Sequence, residues 1–480
     1  MNFSNGLKQG VYMTVAALLL ACGGGGGGNV AGIGGTGITA SGTITGFGSI
    51  FVNGVEFETG NASIVVDDNP GVESDLRLGM VVTVTGSLNA GGATGTATMV
   101  AFDDELQGQI QTVPADPTGD GRKLGFTVLG VSVMVDKVST VFANGVTFTS
   151  IAQGDFIEAS GFVDQAGVLQ ATRVEGKGVF TPGVSEIELK GTATNAAGNS
   201  FTLGSFNINT AGADLSGVPG GAVTSGMSVE VKGTLNGNTI DASRVKLNDD
   251  LPGANLAKVS IEGIVTNFVS NSSFRVAGQA VNAANAVFIP AGLVLGNGVE
   301  VEVEGPVVNG TLQAISVETR GGNVELEAAV QGVSNVNGTI TLQYFTGTVT
   351  VQVDSQTSLR DDLGVFDPFS LSQVVASDFL EVRGSLDGAG NIIASEIRRD
   401  TADDDILQGP FTACDGTSVT LFGVSFSLVN GVTTFQDEND QAVYANASAF
   451  CADANNKGLF VKVKDDVVAN GIADEAELEN

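Results

Sequence analysis

The chain contains no histidine and no tryptophan, and only 3 tyrosines. Without histidine the commonest general base and metal ligand is missing, and histidine-dependent nucleophilic triads are excluded. The scarcity of large aromatics removes the platforms on which sugars and bases stack. Basic residues are also few: 21 Lys and Arg stand against 53 Asp and Glu, a net charge of −32. Such a surface repels phosphate backbones, so nucleic acid is not an expected partner. No G-x-S-x-G elbow and no C-x-x-C pair occurs. This inventory points away from an enzyme and calls for no cofactor. What the sequence does have is glycine, 68 of 480 residues, and a hydrophobic share of 42%, enough for several cores.

One short pattern organises the chain. Gly79 to Gly86 (GMVVTVTG) alternates apolar and polar residues, the signal of a strand with one buried face. It returns as Gly154–Gly161, Gly226–Gly233, Gly298–Gly305, Ser377–Gly384 and Gly458–Asp465, the last losing its closing glycine. The spacing of about 70–80 residues is too long for a solenoid repeat and suits a small domain. Other strands recur with it. Opening strands carry Leu106-Gln107-Gly108, Leu189-Lys190-Gly191, Ile261-Glu262-Gly263, Val330-Gln331-Gly332 and Leu407-Gln408-Gly409. A second strand has an internal glycine (Gly54, Gly130, Gly278 or Gly423), which signals a bulge, a bend or a turn. Turns such as Asn236-Gly237 and Asn309-Gly310 follow the signature strand.

About five strands per module are too few for an immunoglobulin-like sandwich and fit a small closed barrel of OB type. The fold expected is therefore all-β: six tandem modules at 38–105, 106–178, 179–250, 251–322, 323–405 and 406–480. The recurrent glutamates Glu158, Glu230, Glu302 and Glu381 fall on the polar side of the signature strand, expected to face water.

Residues 1–21 read as a signal peptide, with Lys8 ahead of an apolar run too short to span a bilayer. Its end, Leu19-Leu20-Ala21-Cys22, resembles the bacterial lipobox. That resemblance implies lipid on Cys22 and membrane anchoring through it. Gly23, in place of aspartate, implies the outer membrane, on its periplasmic face or the cell surface. The alternative is an ordinary signal peptide with a chance cysteine. Residues 22–37 form a glycine-rich tether, since Gly23–Gly28 is an unbroken run with no strand, helix or lysine to make a phosphate loop of it.

Gly42-Thr43-Ile44-Thr45-Gly46-Phe47-Gly48-Ser49-Ile50-Phe51-Val52-Asn53-Gly54-Val55 resembles the opening of the bacterial lipoprotein family named domain of unknown function 5666. So does Asp75-Leu76-Arg77-Leu78-Gly79-Met80 leading into the signature strand. The resemblance covers residues 40–105 best and weakens toward the sixth copy. It implies a tandem array on a lipid anchor and brings no catalytic residues.

Cys414 and Cys451 in the last module are expected to pair, as leftover cysteines of an exported chain do; two buried thiols are the alternative. Acidic clusters end modules one, three and five: Asp103-Asp104-Glu105, Asp249-Asp250 and Asp403-Asp404-Asp405. Such carboxylates suit Ca²⁺, which takes six to eight oxygens, and solvated linkers are the reading the charge pattern favours. The function expected is a structural, adhesive or protein-interaction role at the envelope, with an unidentified protein or glycan partner. A ligand or glycan receptor using an OB-like groove is the alternative.

Overall fold

A computed structural model describes residues 37–479, apart from 48, 90–93, 118–122, 138, 249–254, 290–292, 320–323, 355–356, 367–368, 388, 438–441, 458–459 and 467–468. Cys22, the glycine run Gly23–Gly28, Asp249 and Asp250 lie outside the described residues.

The first module sets the pattern. Its strands are β1 (Gly37–Phe47), β2 (Ile50–Val52), β3 (Val55–Glu58), β4 (Ser63–Val66), β5 (Asn69–Gly71), β6 (Val81–Leu88) and β7 (Thr94–Phe102). The long β1 serves two neighbours, running antiparallel to β6 from Gly37↔Ser87 to Thr43↔Val81 and to β2 beyond Ile44. Asn53 and Gly54 then take positive φ values of 51° and 71°, the two-residue turn that matches strand twist, and β3 returns beside β2. The internal glycine of the second strand is thus a hairpin turn. β3 runs parallel to β7, and β7 runs antiparallel to β6. The ring β1-β2-β3-β7-β6 closes on itself, the connectivity of an OB-type barrel. Closure leaves no exposed sheet edge in the ring. β4 is additional to the five strands expected, and pairs in parallel with the far half of β7 from Ser63↔Met99 onward. Four residues are too few to announce a strand by periodicity.

The same wiring recurs along the chain. Signature strands Phe156–Val163, Ser228–Asn236, Glu300–Val308, Phe379–Leu386 and Phe460–Asp465 each lie antiparallel between an opening strand and a final one. Counterparts of β4 lie parallel to the final strand at Val141–Ala143, Asp214–Gly217, Val287–Ile289, Ser358–Asp361 and Thr434–Gln436. The protein is all-β, a tandem set of small barrels. Among the described residues there is one α-helix, Ala447–Lys457, and it is too short and too polar to cross a membrane.

The closing glycine of the signature strand has a steric cause. At Gly86, Gly161, Gly233 and Gly384 the pairing with the final strand slips by one residue, a β-bulge. A Cβ there would sit 2.1–2.4 Å from a backbone carbonyl oxygen of the partner strand, that of Thr96, Gln170, Asp241 or Ile393. Only glycine allows the two strands to approach so closely. Asp465 replaces it in the sixth module, where the pairing from Phe460↔Glu479 to Lys464↔Glu475 has no bulge and stops. Its buried carboxylate instead accepts the Gly471 N–H at 2.8 Å and caps the return loop.

The modules join in pairs through their opening strands. Modules two and three pair antiparallel, Leu106 opposite Leu189, as do modules five and six, Leu326 opposite Leu407. Modules one and four, distant in sequence, pair in parallel, Thr39–Ser41 beside Val259–Ile261. In the sixth module the helix follows the counterpart of β4 and buries Ala447, Phe450, Cys451 and Ala454, an i, i+3, i+4, i+7 face. Asn446 caps it, its Oδ1 accepting the Ala449 N–H at 3.0 Å. A disulfide between Cys414 and Cys451 ties this helix to the strand Phe411–Cys414, with the Cα atoms 5.2 Å apart.

Candidate functional site

The expectation that the signature glutamates face water is overturned. Glu158, Glu230, Glu302 and Glu381 keep only 5%, 3%, 5% and 1% of their surface exposed. The polar face of the strand is covered by a neighbouring module, so the alternation marks a contact between barrels rather than a wet surface. Buried carboxylates need partners. Glu158 meets Lys177 at 2.5 Å, and Glu381 is bound by Arg398 from the adjoining strand.

The densest such contact lies between modules one and three. In module three the opening strand Glu186–Thr192 supplies Glu188 and Lys190, the signature strand supplies Glu230 and Lys232, and the final strand Thr239–Leu247 supplies Arg244 and Lys246. Register aligns Glu188, Lys232 and Arg244 in one row and Lys190, Glu230 and Lys246 in the next, so opposite charges face each other at Glu188–Lys232, Lys190–Glu230 and Glu230–Lys246, while the cations Lys232 and Arg244 lie side by side. Module one brings Asp67 and Asp68, in the turn after β4 with φ of 48° and 65°, and Asp103 and Asp104 just after β7. Two carboxylate triads result, Asp67–Asp104–Glu188 and Asp68–Asp103–Glu230, each with one oxygen per residue within 4.8 Å of the others.

The two triads are neutralised unequally. The Lys246 ammonium lies 2.8, 2.9 and 3.1 Å from Asp68, Asp103 and Glu230 and fills the second triad. These groups raise Lys246 against the opposing effect of burial. Asp68 is held below the usual carboxylate range because Lys246, Lys232 and Arg244 outweigh its burial. In the first triad Lys232 is 3.0 Å from Glu188 but 3.8 Å from Asp67. Asp104 is 1% exposed, and burial pushes its carboxyl up to about 7, with Glu158 and Asp67 adding and a hydrogen bond shared with Glu188 and the charge of Lys232 opposing. Burial and the neighbouring Asp104 likewise push Glu188 well up. For Lys232, Glu188, Asp104 and Asp67 overcome the lowering effect of burial.

The solvated-linker reading therefore fails for Asp104, which is buried between barrels. Asp103 sits beside it in the second triad. Asp403 and Asp404 belong elsewhere: Asp403, with its side chain 56% exposed, lies 3.9 Å from Lys137, and Asp404 is 2.6 Å from Lys464. The sequence reading missed Asp67, Asp68, Glu188, Lys232 and Lys246. Its available signal was the Glu230–Lys232 alternation inside a strand whose other face is apolar. A cavity of about 590 Å³ adjoins the second triad, reached by Asp103, Glu230 and Lys246 and walled on its apolar side by Met99, Phe162 and Leu169.

Residues 38–101, 108–175, 262–318 and 327–398 match the family described as Domain of unknown function (DUF5666). These stretches lie in modules one, two, four and five, while modules three and six repeat the same strand pairing. No curated protein matches the chain. With four matches spanning more than half of its length, the chain belongs to the DUF5666 family.

Proposed function

We propose that this protein is a non-catalytic lipoprotein of the bacterial outer membrane, anchored by lipid on Cys22, whose β modules serve a structural, adhesive or protein-interaction role. One observation carries the non-catalytic part. The glutamates of the signature strands, where acid–base chemistry would be sought, are buried at contacts between barrels and engaged by charged or polar partners, as with Glu230, which the Lys246 ammonium links to Asp68 and Asp103 of module one. The anchor rests on the Leu19-Leu20-Ala21-Cys22 end of the leader and the glycine run after it. A lipidated cysteine carries more than one chain, which stable anchoring requires. Labelled palmitate is expected to enter the protein in a bacterial host and to fractionate with outer membranes. Cys22→Ala should abolish both; a mutant that labels as strongly as the parent refutes the anchor.

A second reading, a ligand receptor, draws on the cavity of about 590 Å³, which combines an apolar wall with the Lys190 and Lys246 ammonium groups and the Glu105 carboxylate. Its volume lies within the range of small-molecule sites. Screening the full chain against envelope glycans and small anionic metabolites by thermal shift separates the readings, since a specific shift abolished by Leu169→Trp favours the receptor.

A further inference from the structure

We infer that the Asp67–Asp104–Glu188 triad is a binding site for a divalent, oxygen-preferring cation, Ca²⁺ by its chemistry. The inference is independent of the envelope role proposed above and rests on the comparison of the two triads. Both are built alike, each taking one residue from the Asp67-Asp68 turn, one from the Asp103-Asp104 pair and one glutamate from module three. The second contains its own cation, with the Lys246 ammonium within 3.1 Å of all three carboxylates. The first does not. Lys232 reaches hydrogen-bonding distance of Glu188 alone, and among the described residues Asp104 makes no ion pair.

Three carboxylate oxygens are left over at this spot. Asp104 Oδ1, Glu188 Oε1 and Asp67 Oδ1 are buried without a hydrogen-bond partner, and Lys232 comes only within 3.8 Å of Asp67 Oδ1. Asp68 Oδ2 and Asp103 Oδ1 of the second triad also lack a well-formed hydrogen bond, but Lys246 lies 2.9 Å from Asp103 Oδ1, and Lys232 and Arg244 lie 3.6 Å from Asp68 Oδ2. Asp104 and Glu188 are 1% and 3% exposed, so water does not solvate them as it would a surface carboxylate. Six carboxylates in the two triads face three basic side chains, Lys232, Lys246 and Arg244. The charge missing is positive, and it is missing at the first triad.

The donor set selects the ion. All three donors are carboxylate oxygens with no nitrogen or sulfur, which suits a hard cation. Flexible, irregular coordination with mono- or bidentate carboxylates is what Ca²⁺ accepts, whereas Mg²⁺ demands a near-octahedral shell and keeps several waters. Asp67, with 29% of its side chain exposed, provides the route in from solvent. A cation here would join module one to module three, since Asp67 and Asp104 belong to one barrel and Glu188 to the other.

The test uses the full chain. Terbium luminescence and calorimetry measure binding directly, and thermal melting is followed in calcium and in magnesium at equal ionic strength. The expected result is one Ca²⁺ site with a dissociation constant in the range of about 10⁻⁴–10⁻³ M usual for extracellular modules. A melting shift that magnesium does not reproduce should accompany it. Asp67→Asn, at the exposed edge of the triad, should weaken binding at least tenfold while the calcium-free melt stays cooperative. Asp68→Asn, in the triad that Lys246 fills, should leave terbium and calcium binding in place. The proposal is overturned if calcium and magnesium act alike, if Asp67→Asn binds as the parent does, or if no saturable site appears. In that last case Asp104 and Glu188 share a proton instead.

Discussion

Modules five and six meet differently from modules one and four. In the first pair the opening strands run antiparallel, Leu326 faces Leu407, and one apolar cluster runs from Val324 through Leu478 across both barrels. Modules two and three do the same around Leu106 and Leu189. Modules one and four keep separate apolar cores, although their opening strands hydrogen-bond in parallel. Between them lies a polar clasp: Asn53 Nδ2 donates to Ser260 Oγ at 2.6 Å, Ser260 Oγ donates to Glu302, and Glu262 accepts the Thr43 N–H at 2.6 Å. Modules two and three, and five and six, are thus joined by merged hydrophobic interiors, and modules one and four by hydrogen bonds that fix register. Apolar burial is non-directional and supplies stability, whereas buried polar contacts penalise any other alignment. The difference predicts that the adjacent pairs unfold as units and that the one–four contact opens by itself.

The largest effect is expected where the cores merge. Leu407→Ala should cost about 2–5 kcal/mol, the range for a fully buried leucine, in denaturant unfolding. Amide exchange should quicken in both Val324–Ser334 and Asp405–Gly409. If only module six loses protection, the two interiors are not energetically one. Next comes the disulfide. Replacing Cys414 and Cys451 together by serine should cost about 3–4 kcal/mol on the chain-entropy account for a loop of this length. Both cysteines belong to the joint cluster, so protection should fall in module five as well. Unchanged melting would show that the bridge constrains little.

Asn53→Ala tests the clasp. It leaves partners in a buried site without their donor, at about 1–3 kcal/mol. Exchange at Thr39–Ser41 should rise while Phe57 and its neighbours stay protected. A global loss of protection would instead place modules one and four in a single cooperative unit.

The smallest effect concerns pH. Glu396, on the final strand of module five, is pushed up from 4.5 to about 7 by burial; Asp136 of module two and Glu262 of module four add to this, and Arg383 and Arg360 oppose it. The folded protein holds this proton more tightly than the unfolded chain does. Its contribution to stability is therefore full below about 4.5, falls as the pH rises, and is lost above about 7. Glu396→Gln should flatten that decline and gain about 1–3 kcal/mol at pH 8. An unaltered pH slope in urea denaturation would show that the carboxyl is hydrated.

Much of each barrel was legible in local residues. Alternation in Gly79–Gly86 and its copies reports one face turned to an apolar core, and Asn-Gly pairs report tight turns, because both follow from period and backbone conformation alone. The helix was not anticipated, strands being expected there; Asn446 ahead of the i, i+3, i+4, i+7 set Ala447, Phe450, Cys451 and Ala454 signals it, but the β pattern around it obscured the change of period. The closing glycines stood out as recurrent, without their reason, since a carbonyl 2.1–2.4 Å from an imagined Cβ belongs to another strand.

The other face of each signature strand was not legible. A strand records that its polar residues are away from its own core, and says nothing about what covers them. Glu230 and Lys232 read identically whether water or a second barrel lies over them, so burial, ion pairing and the two carboxylate triads depend on which modules come together. That choice is tertiary. The sequence by itself determined six copies of a glycine-punctuated β pattern, because strand period and turn chemistry act within a few residues. The pairing of module one with module four, and the gathering of Asp67, Asp104 and Glu188 from segments far apart in the chain, were decided by long-range packing that no local pattern encodes.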